Sequence, residues 1–235
     1  MDSALAPKPR QTIALVAISM VIGFCLPFDA LVNGVAGGNR LAHALVMGAL
    51  ALAGVRLSVL AGFRLEGHTH AANGAARPWQ VGMFWALAVT LYVLALDGIV
   101  FPTHLSAPVV ARAQLPLAER LPYFMARAFN ENVIYRLVVF AALVAAARGL
   151  RGGRAVPWPG ILAAATVAQL VNIGANVMWL LPEQWSLAGL GYDLIRYVVP
   201  GVLWAWLYRQ HGFATAEVAS VGCHIFLQPA MVWLV

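Results

Sequence analysis

Residues 41–63 read LAHALVMGALALAGVRLSVLAGF, an almost wholly apolar run in which Arg56 is the single Lys, Arg, Asp or Glu. A similar run, QVGMFWALAVTLYVLALDGIVF, occupies 80–101. About 20 apolar residues in a helix cross the roughly 30 Å hydrocarbon core of a bilayer. Neither run alternates polar and apolar residues in steps of two, as a strand of a membrane barrel does. The pattern therefore predicts membrane-spanning α-helices, in which the backbone satisfies its own hydrogen bonds.

The composition of the whole chain indicates the same fold class. Hydrophobic residues make up 62% of the 235 residues and charged residues only 10%, whereas a soluble domain carries about 25% charged residues. The mean hydropathy is +0.79. We therefore predict an all-α, polytopic membrane helical bundle that has the lipid bilayer as its solvent.

The net charge of +6 does not by itself indicate a nucleic-acid-binding protein. Most of the basic residues lie in short loops and form no single patch, which is typical of topology signals. Cys25 and Cys223 both fall within apolar runs, where a free cysteine behaves as a small hydrophobic residue. We therefore expect neither nucleic acid as a partner nor a disulfide framework.

Seven apolar stretches predict seven transmembrane helices within one domain that covers 1–235. They lie at about 12–34, 41–63, 80–101, 126–148, 156–181, 187–208 and 213–235. The domain divides into a cytoplasmic tail at 1–11, three N-terminal helices in 12–101, an external interfacial segment at 102–125 and a four-helix core in 126–235. The first apolar stretch is too long for a signal peptide, so we expect it to remain as a helix.

The distribution of Lys and Arg between the loops predicts the orientation, because basic residues are retained on the cytoplasmic side. One side would collect Lys8, Arg10, Arg64, Arg77, Arg148, Arg151, Arg154 and Arg209, and the other Arg40, Arg112 and Arg120. This asymmetry predicts a cytoplasmic N-terminus and an external C-terminus.

Two segments between the spans each allow two interpretations. The segment 102–125 has too many prolines and charges to cross the bilayer, and it is either a short amphipathic helix along the interface or an ordinary external loop. The stretch GHTHAANGAARP at 67–78 is a predicted cytoplasmic loop. His68 and His70 in it could bind a metal, although no third ligand lies nearby in the sequence.

Several ionisable residues fall within the predicted spans, where a charge is costly and often marks a functional site. They are Asp29, Arg56, Asp97, Glu131, Arg136, Asp193, Arg196 and His224. Four spans carry polar residues at helical spacing, namely Asn132 and Arg136; Gln169, Asn172 and Asn176; Asp193 and Arg196; and Glu217, Ser220, His224 and Gln228. Their depths overlap, which predicts a buried polar centre in the outer half of the membrane.

Such a centre has a structural and a functional interpretation. Amide stripes hold membrane helices together by hydrogen bonds, and a Glu with an Arg can be a paired buried charge. For Glu131 together with His224 we favour a functional role, because a carboxylate and an imidazole in one buried centre can activate a water or hold a metal.

The sequence also resembles a known family over roughly 120–230. The run ENVIYR at 131–136 and the run GVLWAWLYRQHGFATAEVASVGCHIFLQ at 201–228 resemble motifs of the CPBP family, the CAAX-prenyl-endopeptidase and bacteriocin-processing membrane proteins also called Abi. Members of that family are membrane-embedded proteases, or homologues with scaffold and immunity roles. The resemblance implies a CPBP-like core in the C-terminal half of the chain.

Three residues match the family's motifs directly. Glu131 matches the first glutamate and Arg136 the arginine of a Glu-Glu-x-x-x-Arg motif, and His224 matches the histidine of a His-x-x-x-Asn or His-x-x-x-Asp motif. The other motif positions depart, because Asn132 replaces the second glutamate and Gln228 replaces the final Asn or Asp. In the Phe-x-x-x-His motif, both residues are replaced by asparagine, at Asn172 and Asn176.

The resemblance implies an intramembrane endopeptidase that cleaves a membrane-associated protein or peptide, located in the bacterial inner (cytoplasmic) membrane. Glu131 would be the general base, His224 a second polarising group or metal ligand, and Asn176 and Gln228 amide donors to the oxyanion. No cofactor is firmly implied. A divalent metal is possible, with Glu131 and His224 as its only two ligands.

Two alternatives remain. The first is a catalytically inactive CPBP-like scaffold, assembly or immunity factor that binds another membrane protein. The second is a small-solute transporter that uses Asp29, Asp97 and Arg56, although no repeat or broken helix supports it.

Overall fold

The computed structural model of the chain describes residues 7–26, 30–66, 77–105, 107–176 and 186–234, and over these residues it is helical with no strand. Nine helices follow one another in the described chain. They are α1 Pro9–Cys25, α2 Ala30–Ala36, α3 Arg40–Ala61, α4 Pro78–Val100, α5 Ala107–Ala113, α6 Leu117–Leu150, α7 Trp158–Asn176, α8 at 187–211 and α9 Phe213–Ala230, which a 3-10 turn extends at Met231–Trp233.

Four of the helices are long and apolar enough to cross a membrane, namely α3, α4, α6 and α7, and α1 is a shorter apolar helix. An all-α integral membrane protein is therefore supported by helix length and composition. The predicted spans 187–208 and 213–235 coincide with α8 and α9, which fall outside this set of four. Both carry several polar side chains, among them Arg196 and Glu217, and these lower their hydropathy.

The helix boundaries differ from the prediction in two places. The first predicted span, 12–34, is covered in the described residues by two elements, α1 Pro9–Cys25 and α2 Ala30–Ala36. The second difference is in α6. This helix begins at Leu117, directly after Pro116, whereas the prediction starts a span at 126. The segment 102–125 is thus largely helical, in α5 and the first turns of α6. With a rise of 1.5 Å per residue, α6 is about 51 Å long, well beyond the roughly 30 Å of a bilayer core. Part of α6 must therefore extend outside the hydrocarbon region.

Three helices contain a wider, π-helical segment, which the hydropathy pattern did not predict. These segments are Leu96–Val100 in α4, Asn132–Phe140 in α6 and Leu194–Val198 in α8. Each one contains ionisable residues that the sequence places within an apolar span. π-Helical segments often occur at functional sites. Here they contain Asp97, Arg136 and Arg196, the same ionisable residues that the sequence marks as candidates for function.

The centre of the bundle is the π-helical segment of α6 and the helices around it. Tyr135, Leu137 and Phe140 are completely buried there. The helix α3 packs against α6 on one side, while α9 packs against both α6 and α4 on the other. Asn132 and Arg136 in this segment are therefore enclosed by protein.

The contact between α3 and α6 depends on a glycine. A Cβ atom built on Gly54 would lie 2.6 Å from Cγ of Leu137 and 3.0 Å from its backbone oxygen, closer than real side chains come. We expect Gly54→Ala to lower the free energy of unfolding by about 1–3 kcal/mol, because overpacking forces the helices apart. Thermal unfolding in detergent would measure it, with Gly174→Ala as the control, since no atom lies within 4 Å of that Cβ position. Equal stability of the two variants would contradict this prediction.

Candidate functional site

Polar residues of α6, α7 and α9 meet inside the bundle, at the start of the π-helical segment of α6. We call this group the polar centre. It consists of Glu131, Asn132, Tyr135 and Arg136 from α6, Gln169, Asn172 and Asn176 from α7, and Glu217 and His224 from α9. Asn132 and Glu217, which are 85 positions apart in the sequence, are thus brought together.

Glu131 is the carboxylate of the polar centre that remains partly accessible. Its side chain is 20% exposed, and its Oε1 lies 2.9 Å from Nε of Arg127, one helical turn earlier. The other oxygen, Oε2, accepts a hydrogen bond of 3.4 Å from the amide of Asn172. Glu131 therefore lies at the edge of the bundle interior, fixed by a cation and an amide.

The asparagines of α7 form a short hydrogen-bonded chain that leads to Glu131. The Nδ2 of Asn176 donates both to Oδ1 of Asn172 and to the hydroxyl of Tyr135, each at 2.9 Å. Asn172 in turn donates to Glu131. Both amide hydrogens of Asn176, which the resemblance assigns to an oxyanion, are therefore already engaged.

Arg136 takes its hydrogen-bond acceptor from the neighbouring helix. Its Nη2 donates to Oε1 of Gln169 at 2.5 Å, and the side chain is buried. The sequence placed Asn132 and Arg136 on one helical face because of their spacing of four. In the π-helical segment the backbone hydrogen bonds join residues five positions apart, so residues four positions apart no longer share a face. Asn132 donates instead to Glu217 on α9.

A second carboxylate enters the polar centre from α9. The Nδ2 of Asn132 donates to Oε2 of Glu217 at 3.3 Å. Oδ1 of Asn132 and Oε1 of Glu217 are buried, and neither has a hydrogen-bond partner in the described chain. Glu217 therefore supplies a carboxylate next to the position where the family pattern has its second glutamate. The sequence analysis includes Glu217 only in a polar face of its helix and does not predict its hydrogen bond to Asn132.

His224 lies on α9, one of the helices that pack against α6. Its Nδ1 is 3.4 Å from Nε2 of Gln228, one turn later. The ring of Phe124 stacks on the imidazole, with centroids 5.5 Å apart and planes inclined by 19°. His224 and Gln228 are thus neighbours, as their spacing predicts, and Phe124 covers one face of the histidine.

A buried ion pair connects the π-helical segments of α4 and α8. Nε of Arg196 is 2.9 Å from Oδ1 of Asp97, and its Nη2 is 2.9 Å from Oδ2. Tyr192 also donates to Oδ1, at 2.7 Å, and Nη1 of Arg196 donates to the hydroxyl of Tyr197 at 2.7 Å. The sequence identified Asp97 and Arg196 separately and grouped Arg196 with Asp193, one turn away. It did not find this pair.

The remaining sequence-predicted residues are only partly described by the structure. Arg56 lies exposed on α3, and Ser220 is buried on α9. Asp29, His68 and His70 lie outside the described residues.

The residues of the polar centre do not fit a zinc site of the usual kind. Among the described residues, no group of three or more His, Cys, Asp or Glu side chains is arranged to hold a metal ion. Glu131 and His224 would give a metal two protein ligands, whereas structural and catalytic zinc sites have three or four.

The arrangement therefore consists of a partly accessible carboxylate, a nearby imidazole and a chain of amide donors inside a helical membrane protein. Comparison of the chain with models of protein families, with curated proteins and with solved structures finds no match.

Proposed function

We propose that the chain is an intramembrane endopeptidase of the CPBP type that cleaves a membrane-associated protein or peptide. The observation that carries this proposal is the convergence of its motif positions. Glu131 and Asn172 stand at positions of two separate motifs, and Oε2 of Glu131 accepts a hydrogen bond from Nδ2 of Asn172. The neighbouring Asn132 donates to Glu217 on α9, the helix that also carries the third motif position, His224.

In the proposed reaction, the carboxylate of Glu131 takes a proton from a water molecule, whose oxygen attacks the carbonyl carbon of a peptide bond. His224 polarises the same carbonyl or water. The oxyanion would be stabilised by amide hydrogens, from Gln228 or from Asn176 once its bond to Tyr135 opens. The C–N bond of the tetrahedral intermediate then breaks as the proton held by Glu131 passes to the leaving nitrogen, which gives a carboxyl terminus and a free amine.

The proposal includes the finer topology predicted from the sequence. Seven spans, with α8 and α9 crossing the bilayer beside the four more apolar helices, would enclose the polar centre within the outer half of the membrane. The basic residues predict a cytoplasmic N-terminus and an external C-terminus in a bacterial inner membrane. Cysteine accessibility at each end of the chain would test this orientation.

The activity can be tested with the purified full chain in proteoliposomes. These would be mixed with membranes from cells that lack the protein, and new protein termini would be identified by terminus-selective mass spectrometry. We expect one or a few membrane proteins to gain a new terminus near a transmembrane segment. An unchanged set of termini would contradict the endopeptidase proposal.

A non-catalytic, CPBP-like scaffold, assembly or immunity factor is the second candidate, and one observation favours it. Glu131 is engaged by Arg127 and Asn172, and the hydrogens of Asn176 are both used, so this part of the polar centre is hydrogen-bonded as a structural network is. In this case the chain would co-purify with another membrane protein and produce no new termini.

A further inference from the structure

A small open hollow lies where α5 meets the first turns of α6, outside the polar centre. Its volume is about 200 Å³. The lining side chains are Arg112, Leu115, Glu119, Arg120, Tyr123 and Phe124. Two of the six are arginines and one is a glutamate, so the lining carries a net positive charge.

Arg120 is the unusual member of this lining. Its side chain is only 2% exposed, and one guanidinium nitrogen donates to the backbone carbonyl of Ala113. Its Nε is buried and has no hydrogen-bond partner in the described chain, and no ion pair between described residues includes it. A buried cation with an unused donor is costly unless an anion or acceptor binds next to it.

Arg112 provides a second cation at the same hollow. Its guanidinium carbon lies 4.2 Å from the centre of the Tyr123 ring, so the ring holds the planar group in place. An arginine guanidinium can bind a phosphate through two parallel hydrogen bonds, and an arrangement fixed by an aromatic ring loses little entropy on binding. The two arginines thus form a site suited to a phosphate group.

The surroundings favour a lipid as the source of that phosphate. The helix α6 exceeds the thickness of the bilayer core, and its uninterrupted apolar part, at 137–147, lies towards its far end. The hollow, at the other end of α6, would then lie near the headgroups, where tyrosine is typical and the long arginine side chains can reach. Leu115 and Leu117 beside it are 42% and 40% exposed and could contact acyl chains.

We propose that the hollow between α5 and α6 binds the phosphate of a phospholipid headgroup through Arg112 and Arg120. Leu115 and Leu117 contact the acyl chains, and Glu119 faces the remainder of the headgroup. The site is independent of the proposed peptidase activity, because none of these residues belongs to the polar centre.

Native mass spectrometry of the purified full chain in detergent would test this site. Phosphatidylglycerol, diacylglycerol with the same chains, and inorganic phosphate would be added separately to wild-type protein and to the Arg112→Gln and Arg120→Gln variants. Arg209→Gln is the matched control, since that guanidinium also lies over an aromatic ring, 5.7 Å from the centre of Trp158.

We expect wild-type protein and the Arg209→Gln control to retain one phosphatidylglycerol, and diacylglycerol to be lost. Arg112→Gln and Arg120→Gln should each bind phosphatidylglycerol at least about tenfold more weakly than wild type. A tenfold loss of affinity is what the loss of one charge-assisted hydrogen bond produces. Equal retention by Arg112→Gln and the control would overturn the proposal, and so would equal retention of diacylglycerol. Displacement of the lipid by inorganic phosphate at similar concentration would show a free-anion site instead.

Arg112→Gln keeps the experiment decisive even if Arg120→Gln fails to fold. Arg112 is only half-buried, and its guanidinium makes no hydrogen bond within the described chain, so its replacement should leave the bundle intact. Thermal unfolding of each variant without added lipid would verify this.

Discussion

Glu131→Gln is expected to reduce peptide-bond cleavage by about 10²–10⁴-fold, the contribution of a positioned general base. Glutamine has nearly the same shape as glutamate, and its side-chain oxygen can still accept a hydrogen bond from Arg127 or Asn172, which contact Glu131 in the structure. It cannot take a proton from water at the attacking position. The variant should therefore fold and lose its product.

The measurement is the rate at which the new terminus appears in proteoliposomes that contain equal amounts of folded protein. Glu66→Gln is the matched control, since Glu66 is exposed and far from α6 in the sequence, and its activity should equal wild type. Glu217→Gln separates the two carboxylates of the polar centre. Loss of activity in that variant with retention in Glu131→Gln would show that the base is assigned to the wrong residue.

The helices that the sequence predicts best are those with a single uninterrupted apolar run. The predictions 41–63 and 80–101 agree within two residues with α3 Arg40–Ala61 and α4 Pro78–Val100. Each has about 20 apolar residues between polar ends, and the length of such a run is enough to predict a membrane-spanning helix. The start of α6 was missed because Pro122 and several charges lie in its first turns, and a proline there interrupts the hydropathy pattern without ending the helix.

The candidate site was predicted in part, for a related reason. Spacing predicted that polar groups of α6, α7 and α9 lie close together, and hydrogen bonds join Glu131 to Asn172 and Asn132 to Glu217. Spacing could not give the partner of Arg136, because the π-helical segment changes which side chains share a face. Nor could it pair Asp97 with Arg196, since the two lie 99 positions apart and no local pattern relates them.

The Asp97–Arg196 pair is expected to be the most sensitive structural feature of the bundle. The side chain of Asp97 is completely buried and that of Arg196 is 10% exposed. Arg196→Met should lower the free energy of unfolding by about 3–5 kcal/mol, because removing one partner leaves the other as an uncompensated buried charge. Tyr192 could still donate to Asp97 but would not neutralise it.

Thermal and denaturant unfolding in detergent would measure this loss, with the double variant Asp97→Leu/Arg196→Leu as the critical comparison. The double variant should recover most of the stability, since well-packed apolar residues often replace a buried ion pair at little cost. Lys8→Met is the control, because Lys8 and Glu66 form an exposed pair at 3.9 Å that should contribute less than about 1 kcal/mol. If Arg196→Met were no more destabilising than Lys8→Met, the pair would not hold α4 and α8 together. The π-helical segments that position the two side chains would then not be explained by this ion pair.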